Sequence, residues 1–473
     1  MSRRVVLIAI AVCLVLGGVA WLWQRHQRQA DLAASAPPRP DLAAWPDELA
    51  ERVARGEARL SSGPDRIQAL AELSRLYHAN GYLAEAARCY EALEAHAPGT
   101  PRWLYRHAMI LSGYGQNTPA IERLRTIAPG VYLPAGIRLG DILLKEGDIA
   151  AAVDIYNAIQ RSHPNEPYSL LGLARCDIDR GLWQDARTKL ERLVALTNYA
   201  LGYDLIVPVY ERLGQQDRAA EIRGKMRAWG AFRDMEDPWM EELLEDSYDA
   251  YQLSLAAGAA ERRPDLPLAT RRLERAVKLA PDSATLRFQL GMLHLQRKEF
   301  TRAREQLEAC TRLAPDFADG WAHLSGLHLT VGDRAGSDRT LDEGLRQCPD
   351  SPGLHQMKAQ RHLQAGRHEE AIAEFKRSIE LRPTEADAYV QLGMILMGTG
   401  RRSEAVAVFE SALVAEPQHP FVLCTLALHA IETNDEPAAV RWISQARQQP
   451  RVKEVDLQRV LQAFSTAFGR PAP

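Results

Sequence analysis

The sequence predicts an all-α chain: a solenoid of repeated helix pairs preceded by one transmembrane helix. Three observations predict it. Ala, Leu, Arg, Glu and Gln are abundant, and β-branched residues are sparse beyond the first 20 positions, which favours helix on propensity alone. A run of 19 uncharged residues stands close to the N-terminus. Prolines recur every 34 residues through the C-terminal half.

The uncharged run, residues 5–23 (VVLIAIAVCLVLGGVAWLW), follows a short basic tail, residues 1–4. As a helix it is about 28 Å long, enough to cross a bilayer core of about 30 Å. Trp21 and Trp23 sit at one end, where indole rings favour the interface. The run is longer than the h-region of a cleaved leader, and the nearest small-x-small site, Ala34-Ser35-Ala36, lies beyond a basic stretch. An uncleaved single-pass anchor is therefore expected. Arg3 and Arg4 favour an inside N-terminus with export of the remaining chain, whereas Arg25 and Arg28 pull the other way. Residues 24–46, rich in Ala and Pro, read as a semi-extended spacer.

Bulk properties narrow the function. The 473 residues exceed what one compact core serves, so several domains or a repeat array are expected. A net charge of −3 from 58 basic and 61 acidic residues provides no field for nucleic acid. No two of the six cysteines lie within four residues of each other, which leaves no zinc, CxxC or haem-attachment spacing and points to buried free thiols. GxGxxG, GxxxxGK[ST], GxSxG and HExxH are all absent, and no nucleophile–base pair can be named. Catalysis is not expected, and no cofactor or metal is implied.

The repeat register is tight. Prolines stand at Pro281, Pro315, Pro349, Pro383 and Pro417. Twelve residues before each stand Ala269, Ala303, Ser337, Ala371 and Ala405; 24 before stand Ala257, Gly291, Ser325, Ala359 and Gly393. Eight before each Pro come Leu273, Leu307, Leu341, Phe375 and Phe409. Two antiparallel helices joined by a short turn explain these columns. The helices approach closely only where both present small residues, at positions 8 and 20, a bulky residue at position 24 fills the seam, and Pro at position 32 stops the second helix.

These columns resemble the tetratricopeptide repeat (TPR) family. Residues 386–419 match its signature with Tyr389, Leu392, Gly393, Ala405, Phe409, Ala412 and Pro417, and further units run 250–283, 284–317, 318–351, 352–385 and, less regularly, 420–453. A degenerate N-terminal block, residues 47–229, carries Leu73, Tyr77, Ala86, Tyr90 and Pro98, then Leu139, Gly140, Ala152, Tyr156 and Pro164. The C-terminal block is 250–453, with six repeats, and residues 454–473 supply a capping helix with an apolar stripe at Val455, Leu457, Val460, Leu461 and Phe464. The resemblance implies a right-handed superhelix of helix-turn-helix units that binds proteins or peptides.

Between the blocks, residues 230–249 break the period, with eight acids and no base from Asp234 to Asp249. The plain reading is a solvated helix face that joins two repeat blocks, with Trp229 and Trp239 packed on adjacent helices; a hinge, a docking patch for a basic partner and a carboxylate cluster for a cation are the alternatives. His294, His328 and His362 occupy position 11 of three successive units and read as rings packed between helices rather than as a metal site.

The resemblance places ligands at positions 2, 5, 9 and 12 of each first helix. In the C-terminal block these give Phe288, Met292, Leu295, Leu329, Leu363, Val390, Met394, Met397, Phe421, Cys424 and Leu428, a largely apolar strip broken by Gln356 and Gln360. Soluble surfaces seldom leave such a strip bare, and methionines adapt to varied apolar partners. In the N-terminal block the same positions are mixed: Arg75, Tyr105, Met109, Asp141, Lys145, Arg175 and Arg212. The expected function is a membrane-anchored scaffold for protein partners. By analogy of layout it serves envelope biogenesis, secretion or polysaccharide export, in a bacterial inner membrane with the solenoid on the periplasmic side. The rival is a structural or self-assembling array without a dedicated ligand, which predicts homo-oligomers.

Overall fold

The computed structural model describes residues 31–127, 130–197, 199–226, 235–449 and 452–472. Residues 5–23 and Trp229 lie outside the described residues. Among the described residues no helix is long and apolar enough to cross a membrane. They form helices joined by short turns, with no β-strand, and divide into two compact units at Ala280/Pro281.

In the first unit α1 (Asp47–Ser62) precedes the pairs α2 (Arg66–Ala79) with α3 (Leu83–His96), α4 (Pro101–Gly113) with α5 (Asn117–Thr126), α6 (Leu133–Lys145) with α7 (Ile149–Ser162), α8 (Pro167–Asp179) with α9 (Trp183–Leu196), and α10 (Ala200–Arg212) with α11 (Gln216–Met226). A short α12 (Pro238–Glu241) runs into a 3₁₀ turn (Glu242–Asp246) and then the pair α13 (Ala250–Arg262) and α14 (Leu266–Leu279). The repeat that begins at residue 250 thus belongs to the first unit. The second unit holds α15 (Ala284–Gln296) with α16 (Phe300–Leu313), α17 (Ala318–Thr330) with α18 (Arg334–Gln347), α19 (Pro352–Gln364) with α20 (His368–Leu381), α21 (Ala386–Gly398) with α22 (Arg402–Ala415), and α23 (Pro420–Glu432) with α24 (Glu436–Arg447), closed by α25 (Glu454–Phe468).

The small-residue columns do the work the period implies. In α17 and α18 the position-8 and position-20 side chains touch: Ser325 Oγ lies 2.8 Å from Ser337 Oγ. Where position 8 is Gly, the bulky residue at position 24 occupies the space its side chain would need. A Cβ on Gly393 would stand 2.5 Å from the Phe409 ring, and one on Gly140 would stand 2.6 Å from the Tyr156 ring. Real carbon contacts are 3.5–4.0 Å, so neither site holds even a methyl without displacing the ring. Phe375, Phe409, Tyr156 and Leu307 are all fully buried.

Two further devices recur among the repeats. Position 15 closes the first helix in the left-handed region, at Gly147, Gly332, Gly366 and Gly400 among others, and the following N–H returns to the carbonyl of position 11, as from Asp333 to His328 at 2.8 Å. Lys298 holds this conformation with φ 61° and Asn434 with φ 57°, where Gly332, Gly366 and Gly400 stand in the repeats between them. The proline column is capped from outside: the carbonyls of Pro281, Pro315, Pro349 and Pro383 accept from Arg287 Nε (3.0 Å), Trp321 Nε1 (2.8 Å), His355 Nε2 (2.9 Å) and Tyr389 Oη (3.2 Å), each at position 4 of the next unit.

The histidine column packs between helices and meets the residue five positions on. His294 Nδ1 is 2.7 Å from Glu299, and His328 Nδ1 is 3.1 Å from Asp333. At the third site that residue is Arg367, and burial followed by this cation holds His362 below its ordinary value. In α25, Val460 and Phe464 are buried against Leu423, Ala427 and Ile443. Val455 is 79% exposed and drops out of the expected stripe. Five residues before Val460 is about 140° round the helix, which turns it away from the buried face.

Two changes test this packing. Gly393→Val should cost about 1–3 kcal/mol through displacement of Phe409. Lys298→Gly should gain up to about 1 kcal/mol by relieving a left-handed residue that carries a Cβ. Urea unfolding of each variant beside the parent measures both.

Candidate interaction surfaces

The strip expected in the C-terminal repeats lies within the second unit, and the structure grades its members. Val390 is buried in the core, and Phe288, Met292, Leu295, Leu329, Leu363, Met397 and Leu428 are half-buried. Phe288 is held edge-on by Phe317 at 5.0 Å. Gln356 donates to Ser378 Oγ at 3.0 Å and to Glu385 at 3.2 Å, while Gln360 is exposed. Met394 and Phe421 are 49% and 45% exposed, with the Phe421 ring 6.4 Å from that of Phe409.

The first unit presents a different surface, because its groove is filled. Residues 235–248 do not form the solvated face expected of the acidic run. They return as a strap across the first-helix positions of the leading repeats. Asp237 accepts hydrogen bonds from Tyr105 and, at 2.5 Å, from Tyr132. The indole of Trp239 stacks on the Tyr132 ring, with centroids 3.7 Å apart and planes 6° from parallel, and lies edge-on to Tyr105. Arg106, whose side chain is 1% exposed, donates to the Trp239 carbonyl and, at 2.9 Å, to Glu242. Arg102 reaches Glu242 at 3.0 Å and lies 5.6 Å from the Trp239 ring centroid.

The other end of the strap is gripped as firmly. Asp246 accepts from Arg52 at 2.6 Å and from Arg75 at 2.8 Å. The Asn80 amide donates to the Asp246 carbonyl at 2.9 Å and accepts from the Tyr248 N–H at 2.6 Å, so it pairs with the strap as a neighbouring backbone would. Arg275 donates to the carbonyls of Leu244 and Glu245 at 2.9 and 2.8 Å. Asp237 and Asp246 are both buried, and each is multiply bonded. Those bonds offset the cost of burying two carboxyl groups. Burial, and then the Asp237 charge, push the Tyr105 phenol up.

Of the mixed positions expected in this groove, Arg75 and Tyr105 hold the strap. Asp141 instead accepts from Tyr156 at 2.7 Å and sits 3.8 Å from Arg175, Arg212 lies 5.6 Å from the Trp183 ring centroid, and Lys145 is exposed. The strap also walls one side of a cavity of about 550 Å³, through Met235 and Met240, facing Tyr168, Tyr199, Ala256 and Ala259. Among the described residues no group of three or more His, Cys, Asp or Glu side chains is placed to hold a metal ion. The free thiols of Cys89, Cys176, Cys310 and Cys424 are buried, and burial pushes Cys176 up to about 11.

On α2, His78 Nδ1 lies 3.3 Å from Tyr90 Oη. Burial, and then the Arg106 charge, push it down to about 3. Its folded value is below its unfolded one, so the unfolded chain binds the proton first. Its effect on stability is nil above about pH 6.5 and grows as pH falls toward 3. The loss should approach about 1.4 kcal/mol per pH unit, and His78→Gln should flatten the slope between pH 6.5 and 5 in urea unfolding.

Models of the tetratricopeptide repeat match residues 143–198 and 362–422, and a second such model matches 251–317. Cellulose synthase 1 operon protein C of Komagataeibacter xylinus is 32% identical over 127 residues, 24% of this chain; the chain spans 10% of that curated relative's length. Among solved structures, MamA from Desulfovibrio magneticus RS-1 is 15% identical and covers 36% of this chain and 95% of its own, with a TM-score of 0.30. Yeast Tom70 is 14% identical and covers 89% of this chain and 92% of its own, with a TM-score of 0.36. Family models and structure agree with the small-residue columns: the chain carries tetratricopeptide repeats over residues 143–198, 251–317 and 362–422.

Proposed function

We propose that the chain is a membrane-anchored, non-catalytic scaffold that binds an extended protein segment along the apolar row of its second unit. The observation that carries this reading is the exposure of Met394 and Phe421, two large apolar side chains on successive first helices of that row. An apolar anchor flanked by half-buried neighbours is the arrangement in which truncation costs a partner most. The half-buried members, from Phe288 to Leu428, widen the contact without exposing a full hydrophobic face.

The anchor rests on the uncharged residues 5–23; residues 31–46, expected as a spacer, instead pack on the first unit, with Leu32 and Leu42 buried in its core. On this reading the repeats stand on the periplasmic side of a bacterial inner membrane, in line with the basic tail at residues 1–4. The likeness to a cellulose synthase operon protein supports a place in envelope biogenesis or polysaccharide export.

Met394→Glu with Phe421→Glu should remove the partners recovered with the parent from detergent-solubilised host membranes, with affinity falling by about 30-fold or more. Unchanged recovery with a folded variant would sink the row as a binding surface. Carbonate extraction of the full chain against a chain lacking residues 1–30 tests the anchor: only the full chain should stay with the membrane pellet.

A further inference from the structure

The strap lies on a face of the first unit that carries ligand chemistry of its own. Arg106 is a fully buried cation, and its hydrogen bonds all go to strap atoms: the Trp239 carbonyl and the Glu242 carboxylate. Tyr105 and Tyr132 spend their hydroxyl protons on Asp237, and Arg75 pairs with Asp246. Without the strap this face would be a groove lined by Arg52, Arg75, Arg102 and Arg106, two phenols and Asn80. Arg106 is buried with the strap in place, while Arg52, Arg75 and Arg102 keep 21%, 40% and 45% of their side chains exposed, so an occupant that covers these cations is favoured when it brings carboxylates to offset the cost. It reads spacing as well as charge. A carboxylate binds the two phenols, an indole two residues on stacks on Tyr132, a second carboxylate three residues later meets Arg102 and Arg106, and a third carboxylate four residues beyond meets Arg52 and Arg75. Asn80 grips main chain, which any sequence offers.

We propose that the groove formed by α1, α2, α4 and the start of α6 is a recognition site for extended acidic segments of the pattern Asp-x-Trp-x₂-Glu-x₃-Asp, and that residues 237–246 occupy it in cis. A partner segment of the same chemistry engages the first unit by displacing the strap. Affinity for such a partner is set by the difference between the two occupants, because the cis segment competes at a high effective concentration. The second unit's apolar row takes no part, so this proposal stands or falls independently of the scaffold reading.

The test uses the full chain and a labelled synthetic peptide of residues 235–249. A variant with Asp237→Ala, Trp239→Ala and Asp246→Ala frees the groove while leaving every groove residue intact. By fluorescence anisotropy it should bind the peptide at least 10-fold more tightly than the parent does. The same peptide carrying Asp237→Asn and Asp246→Asn should bind the variant at least 10-fold more weakly. A variant that keeps the parent's circular dichroism and elution volume, yet shows no preference for the acidic peptide, overturns the proposal. Should the variant fail to fold, hydrogen exchange on the parent decides. A displaceable strap opens locally, so amides at 239–249 should exchange at least 10-fold faster than those at the centres of α2, α4 and α6. Equal protection would make the strap an integral part of the unit's core and end the idea.

Discussion

A helix backbone pressed against a ring, with no side chain between, is the contact on which both units depend. Gly393 under Phe409 and Gly140 under Tyr156 bring the two helices of a pair closer than any residue with a Cβ allows. Where the small residue is Ser or Ala, as at Ser325 and Ser337, the pair meets through hydroxyls or methyls, and the bulky residue at position 24 still fills the seam. Everything else follows from that spacing. The left-handed residue at position 15 reverses the chain within a few residues, and the proline at position 32 presents a carbonyl that the next unit's position-4 side chain can take. Each unit therefore buries its apolar face only through its neighbours, as repeat arrays do.

The first unit solves a problem the second does not have. Its leading repeats carry cations on the face the strap covers, and beneath it Arg106 keeps only 1% of its side chain exposed. The acidic strap supplies the counter-charge and removes the cost. Eight acids without a base between Asp234 and Asp249 make sense in that light, since a lysine in the segment would meet like charges throughout the groove. The second unit instead leaves an apolar row whose most exposed members are Met394 and Phe421. The two units thus differ: the first covers its cations with an acidic segment, and the second leaves two large apolar side chains exposed.

The repeat columns were legible because they answer to local geometry that recurs every 34 residues: small residues at positions 8 and 20, a bulky one at 24 and a proline at 32. The glycines at position 15, such as Gly147, Gly332, Gly366 and Gly400, recur in the same register, but it is the structure that shows them closing the first helix in the left-handed region. Val455 was misread because a list of apolar residues is not yet a face; its angle about the helix excludes it. The strap was not legible as a strap. Asp237, Trp239, Asp246 and Tyr248 announce an acidic, aromatic segment, but their partners Tyr105, Arg106, Arg52, Arg75 and Asn80 lie more than 130 residues earlier.

By itself, then, the sequence determined the helix pairs, their register and the residues at each seam, because periodic short-range sterics leave one solution for such a pattern. Only the tertiary structure decided that residues 237–248 fold back into the first unit and that Met394 and Phe421 are the side chains left exposed on the row. Charge pairing and burial between distant segments depend on how far each repeat turns relative to the last. That rotation is the sum of many small packing preferences, and no single column of the sequence carries it.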